Sequence, residues 1–66
     1  MTKSLKEVRE AKGVKQIAVA KELGVSRQTY AAYEDNQEAM TIWQAKCVCG
    51  FLGCSVDDIF LPKEVN

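Results

Sequence analysis

Arg27 and Gln28 stand side by side, and Ala31 and Ala32 follow at i+4 and i+5 of Arg27. On a helix these four fall on one side while Tyr30 and Tyr33 fall on the other. Such a surface suits the edges of base pairs. An arginine can pair bidentately with guanine, a glutamine with adenine, and a small methyl can touch the thymine methyl. Two alanines also let the helix axis come close to the bases, while the tyrosine side is left to bury against neighbouring helices. Catalytic chemistry is not expected: the chain has no histidine and offers no nucleophile–base pair.

The remaining reactive residues are Cys47, Cys49 and Cys54. An odd count in a chain without an export signal argues against a disulfide framework. A Cys-x-Cys pair on a helix points its thiols about 200° apart, which with no histidine leaves no plausible metal set. The three are read as ordinary small core or surface residues, with a redox-sensing thiol as the alternative. No metal and no cofactor is expected, and no small-molecule substrate is evident. The segment Met1–Lys12 is charged throughout, with no apolar signal core. No apolar run approaches the roughly 18 residues that cross a bilayer, so a cytoplasmic protein without membrane contact is expected.

The elements that must position these residues are short. Sixty-six residues, 47% apolar and 27% charged, make one globular domain (1–66) near the lower limit for a self-sufficient core. Ser4-Leu5-Lys6-Glu7 is a capping box opening a first helix, with Leu5 and Val8 inward and Gly13 as its stop. A second helix runs from about Lys15 or Gln16 to Leu23, with Val19, Ala20 and Leu23 inward, and ends at Gly24. Ser26 caps a third that extends to about Glu34, followed by turn residues Asp35-Asn36-Gln37. Thr41 to Gln44 is a second capping box, opening a helix to about Leu52 with an inward stripe of Ile42, Ala45, Val48, Cys49 and Leu52. Ser55 to Asp58 is a third box, opening a short helix through Phe60, and Pro62 begins a short C-terminal tail. The expected class is all-α, a compact bundle of five helices.

Two helices joined by a turn on one glycine, over about residues 15–34, describe a helix-turn-helix whose second helix lies in a major groove. Ala20 sits where the two helices would cross, Gly24 supplies the positive φ, and Val25 can plug the corner. Charge is consistent with this. The chain is neutral overall, but residues 1–33 carry seven basic and three acidic side chains, and 34–66 carry two basic and six acidic. One basic face for phosphate follows from that asymmetry.

The stretch Leu5 to Phe60 resembles the Cro and phage-repressor family of helix-turn-helix domains, the xenobiotic-response-element (XRE) regulators. The pattern is carried by Gln16, Val19-Ala20, Gly24-Val25-Ser26, Tyr33-Glu34 and the later run Leu52 to Phe60. The resemblance implies a lambda-repressor-like bundle that binds double-stranded DNA. It implies that Gln16 contacts a phosphate and reaches toward a base, and that Arg27 and Gln28 are the main base readers with apolar contact from Ala32. Thr29 becomes a backbone or secondary base contact, and Lys15 and Gln37 become phosphate anchors. It also implies that Arg9 and Glu34 form an ion pair joining the first helix to the end of the third. Three positions depart from the pattern: Lys15 replaces a Ser or Thr cap, Tyr30 replaces a β-branched aliphatic, and Ala39-Met40 stand where a proline is usual.

Trp43 points away from the inward stripe, so it either packs partly under the preceding loop or touches another subunit. Phe51, Phe60 and Leu61 add apolar surface near the same end, more than a small monomer can cover. A homodimer through residues 41–66 is therefore expected, with the tail free to add a strand across the axis, reading half-sites about 34 Å apart. The whole describes a transcriptional regulator, more often a repressor by occlusion. The alternative is an antitoxin or accessory protein-interaction module of the same fold.

Overall fold

Most helix ends fall where a side chain or a glycine satisfies the backbone, as seen in the computed structural model, which describes residues 4–60. Leu61 and the tail after it lie outside the described residues, so the subunit contact and the crossing strand expected there fall outside too. The helices are α1 (Leu5–Ala11), α2 (Gln16–Leu23), α3 (Arg27–Asp35), α4 (Ile42–Leu52) and α5 (Val56–Phe60), with a 3₁₀ turn at Gln37–Ala39 between α3 and α4. The described residues are all-helical outside their loops, as expected.

Ser4 and Glu7 close a reciprocal capping box at α1, and Thr41 and Gln44 close another at α4. Ser26 accepts from the Thr29 amide at the start of α3. The third expected box is only half formed. The Asp58 carboxylate accepts from the Ser55 amide at 3.2 Å, but the Ser55 hydroxyl accepts from the Asp57 amide, one residue earlier than the motif requires. At the other ends, α2 and α4 stop in the same way: Gly24 (φ 75°) and Gly53 (φ 77°) turn left-handed.

Every helix contributes to one core: Leu5 and Val8 from α1, Val19 and Ala20 from α2, Tyr30 from α3, Val48, Cys49 and Leu52 from α4, and Ile59 from α5. Side chains of this size gain roughly 1.5–3 kcal/mol each on full burial. Ala45 is buried beside them. Ile42 is not part of the stripe assigned to it: it is 62% exposed, because the buried stripe of α4 begins a turn later at Ala45 and no described element covers the helix's first residue. Helix α3 also runs one residue past Glu34, which turns Asp35 from a loop residue into a helical one.

Tyr30, which replaces a smaller aliphatic in the sequence pattern, is fully buried. Its hydroxyl is enclosed, close enough to Arg9 and Glu34 to feel both charges, but it makes no hydrogen bond of standard geometry. Burial first, and the Glu34 carboxylate after it, push the phenol well above its ordinary range, so the hydroxyl stays protonated. An enclosed, unpartnered hydroxyl is a standing cost of about 1–3 kcal/mol. Tyr30→Phe removes it without opening a cavity. Thermal unfolding should show a gain of about 1 kcal/mol, or some 4–8 °C in Tm; a loss of similar size would mean the hydroxyl is bonded after all.

Candidate nucleic-acid interface

The turn between α2 and α3 sets the angle of everything outside it. Gly24 donates to Lys21 C=O at 3.2 Å and Val25 donates back to Ala20 C=O at 3.0 Å, folding the half-buried Val25 onto the core. Ala20 is fully buried between the helices, where a larger side chain would push them apart. Ser26 then starts α3 at once. The short connection leaves α3 with Tyr30 facing inward and Arg27, Gln28, Thr29, Ala32 and Asp35 facing out.

The outer face differs from expectation in two places. Ala31 is half-buried, so only one of the two alanines is presented fully. Asp35 joins the face at i+7 from Gln28 and i+3 from Ala32, an exposed carboxylate at its far end. Extending the outer face one turn beyond Ala32 would have identified it. Thr29 is exposed, but its hydroxyl accepts from the Ser26 hydroxyl at 3.0 Å.

Behind this face runs a continuous polar chain. Arg9 donates to both Glu34 oxygens, from Nε at 2.5 Å and from Nη2 at 3.3 Å, and its Nη1 donates to Val14 C=O at 2.8 Å. Both side chains are nearly sealed, 10% and 4% exposed. Glu34 Oε1 also accepts from Gln16 Nε2 at 2.9 Å, and Gln16 Oε1 accepts from Arg27 Nη1 at 3.1 Å. The expected ion pair is therefore present, and it reaches the surface: Arg9, Glu34, Gln16 and Arg27 form one line from α1 to the first residue of α3. A guanidinium has five N–H donors and an amide nitrogen two, so these bonds leave Arg27 and Gln16 with donors to spare.

Lys15 precedes α2 with its side chain exposed and makes no cap bond. Gln37 plays a structural part that the sequence pattern does not announce. Its Oε1 accepts from the Leu5 amide at 2.6 Å, capping α1 from 32 residues away. Local spacing carries no signal for such a bond. The first turns of α2, α3 and α4 contain no acidic residue, whereas α1 has Glu7 and α5 has Asp57 and Asp58 there. The positive ends of the three middle helices are thus uncompensated by local carboxylates. On α4, Trp43 is 77% exposed, which rules out packing under the loop; the Lys46 ammonium lies 5.9 Å from its ring centroid. Phe51 is 42% exposed and Phe60 is half-buried against the core. No helix among the described residues is long and apolar enough to cross a membrane.

A family model described as helix-turn-helix matches residues 5–59, nearly the whole described chain. No curated protein matches it.

The Arg9–Glu34 pair makes stability depend on acid. Burial alone would raise the Glu34 carboxyl, but the Arg9 guanidinium first, and the nearby Tyr30 hydroxyl and Gln16 amide after it, outweigh it, and the group sits below its ordinary 4.5. A depressed carboxyl contributes stability above its unfolded value and loses it as pH falls through its folded one. Denaturation from neutrality to about pH 2 should therefore show a steady loss beginning near 4.5. The double replacement Arg9→Met with Glu34→Leu keeps the volume and removes both charges, so it should fold and show a shallower loss. An unchanged acid profile would place the dependence elsewhere.

Proposed function

The chain belongs to the helix-turn-helix family of the Cro/C1, or XRE, type, a family of DNA-binding regulators, and from that premise we propose that it represses transcription as a cytoplasmic homodimer on a palindromic operator. The observation that supports this reading best is the outer face of α3, where Arg27, Gln28 and Ala32 stand exposed at a helix that the turn at Gly24 projects outward. Laid in a major groove, that face offers a guanine reader, an adenine reader and a methyl contact.

Each candidate residue takes a role in that pose. Arg27 and Gln28 read bases, Ala32 meets a methyl, and Ala31 lines the closest approach. Thr29, Lys15, Gln16 and the free amide end of Gln37 meet the backbone, with the acid-free helix starts giving phosphates a favourable field. A lone α3 reads only a few base pairs, so the proposal includes a second copy, docked through Trp43, Phe51, Phe60 and Leu61. Occlusion of a promoter is the simplest mode of action for a domain that binds its operator in this way.

Selection from a random duplex pool, with sequencing of the bound fraction, tests the whole reading. Enrichment of an inverted repeat with half-sites about one helical turn apart is expected. No enrichment, with a partner protein co-purifying instead, would favour an accessory or antitoxin module. On the selected site, Arg27→Ala should cost ~1–3 kcal/mol and relax preference at one base position. Lys15→Ala should weaken all duplexes alike and reduce the salt slope by about 1. Identical behaviour of the two variants on selected and random DNA would overturn the division into readers and anchors. Sedimentation at tens of micromolar should give a dimer, and Trp43→Ala with Phe51→Ala should shift it toward monomer by at least about tenfold in Kd; a monomeric parent would remove the dimer from the proposal.

A further inference from the structure

Helices α2 and α4 end in the same motif, and the difference between them is chemical. In each, a left-handed glycine lets the next residue donate back across the turn: Val25 to Ala20 C=O at 3.0 Å, and Cys54 to Cys49 C=O at 2.9 Å. This hydrogen bond folds the residue after the glycine onto the one five before it, and an apolar contact between their side chains commonly accompanies it. At α2 that pair is Val25 on Ala20. At α4 it is two thiols, with Cys54 packed against the core cluster that contains Cys49.

The two thiols have different surroundings. Cys49 is 2% exposed, and burial, with the adjacent Cys54 thiol, pushes it up to about 12, so it remains a thiol at neutral pH. Cys54 is half-exposed and opens on a cleft between α1 and α5, where Glu7, Lys12 and Asp58 face it. The Lys12 ammonium reaches over Gly53, 3.6 Å from where a side chain at that glycine would begin. Cys47 lies about 200° from Cys49 around α4 and meets Glu22 C=O at 3.8 Å on a different side. A half-exposed sulfur and a sealed one, neighbours across a single turn, make Cys49 and Cys54 the pair of the three cysteines best placed to bond.

We propose that Cys49 and Cys54 form a modification site for hydrogen peroxide, closing to an intrachain disulfide across the end of α4. The Cys54 thiolate attacks the peroxide O–O bond, forming a sulfenic acid and releasing hydroxide, which takes up a proton to become water. The Cys49 sulfur then attacks the sulfenic sulfur. The S–S bond forms as the S–O bond breaks, and the Cys49 proton leaves with the departing hydroxide as a second water. Two thiols are oxidised by two electrons and one peroxide is reduced to two waters. The bond fixes the corner between α4 and α5, which carries Phe51 and Phe60. This proposal stands whether or not the chain binds an operator.

Intact-mass measurement of the folded full chain after hydrogen peroxide treatment, with free thiols alkylated, tests it. The expected product is a monomer lighter by two hydrogens with one alkylated cysteine. Cys47→Ser should form it at the parent rate with no cysteine left to alkylate. Cys54→Ala should form it at least ~10-fold more slowly. Closure in the folded Cys47→Ser chain should also outpace closure in denaturant. The proposal is overturned if Cys47→Ser stops the mass loss, if Cys54→Ala leaves it unchanged, or if folded and unfolded chains close equally fast.

Discussion

Taking the Glu34 carboxylate out of water obliges the molecule to fill both of its oxygens, and much of the domain's arrangement answers that demand. Arg9 supplies two donors from α1 and Gln16 supplies one from the start of α2. A sealed ion pair is not a source of stability by itself, since the cost of desolvation offsets most of the attraction. Its effect here is positional. The pair fixes the last turn of α3 against α1, and the filling of Oε1 fixes Gln16, whose other end holds Arg27. The first residue of the candidate reading surface is thereby tied to the sealed charges of Arg9 and Glu34. An arginine held in advance has less conformational freedom to lose when it meets a partner.

The helix boundaries were legible because the physics that sets them is local. A serine or threonine oxygen reaches an amide three residues on, and a glycine turns left-handed where any side chain would strain. Ser4, Ser26, Thr41, Gly24 and Gly53 all follow that rule. Ser55 follows it partly: its hydroxyl settles on the second amide of α5 while Asp58 keeps its share of the box. Ile42 shows where periodicity stops being informative. Spacing gives the direction of a side chain around a helix but not whether another element stands in that direction, and over Ile42 no described element does.

The candidate site divides along the same line. Arg27, Gln28 and Ala32 could be placed on an outer face from spacing alone, because Tyr30 and the turn at Gly24 fix which side of α3 is inward. The bonds that Arg27 donates to Gln16 and the Leu5 amide donates to Gln37 join residues 11 and 32 apart in the chain. Side-chain amides at such separation are brought together only by the assembled bundle, so no local pattern announces them. The family resemblance assigned both glutamines to phosphates. The folded chain also gives both an internal partner, which orients each amide before any ligand arrives.

A neutral chain that approaches a polyanion must do so through the placement of its charge. The acidic residues of the second half would repel phosphate if they stood at the outer ends of the middle helices, and none stands in the first turn of α2, α3 or α4. Carboxylates are placed in the first turns of α1 and α5 instead, where they complement those helices' own dipoles. Asp35 is the exception on the outer face, and its position explains why it is tolerable. It lies at the far end of α3, about two turns from Arg27 and Gln28, whereas a helix that enters a groove by its N-terminal residues brings that end closest to the bases. A carboxylate set there leaves Arg27 and Gln28, at the opposite end of the exposed face, without a negative charge beside them on the helix.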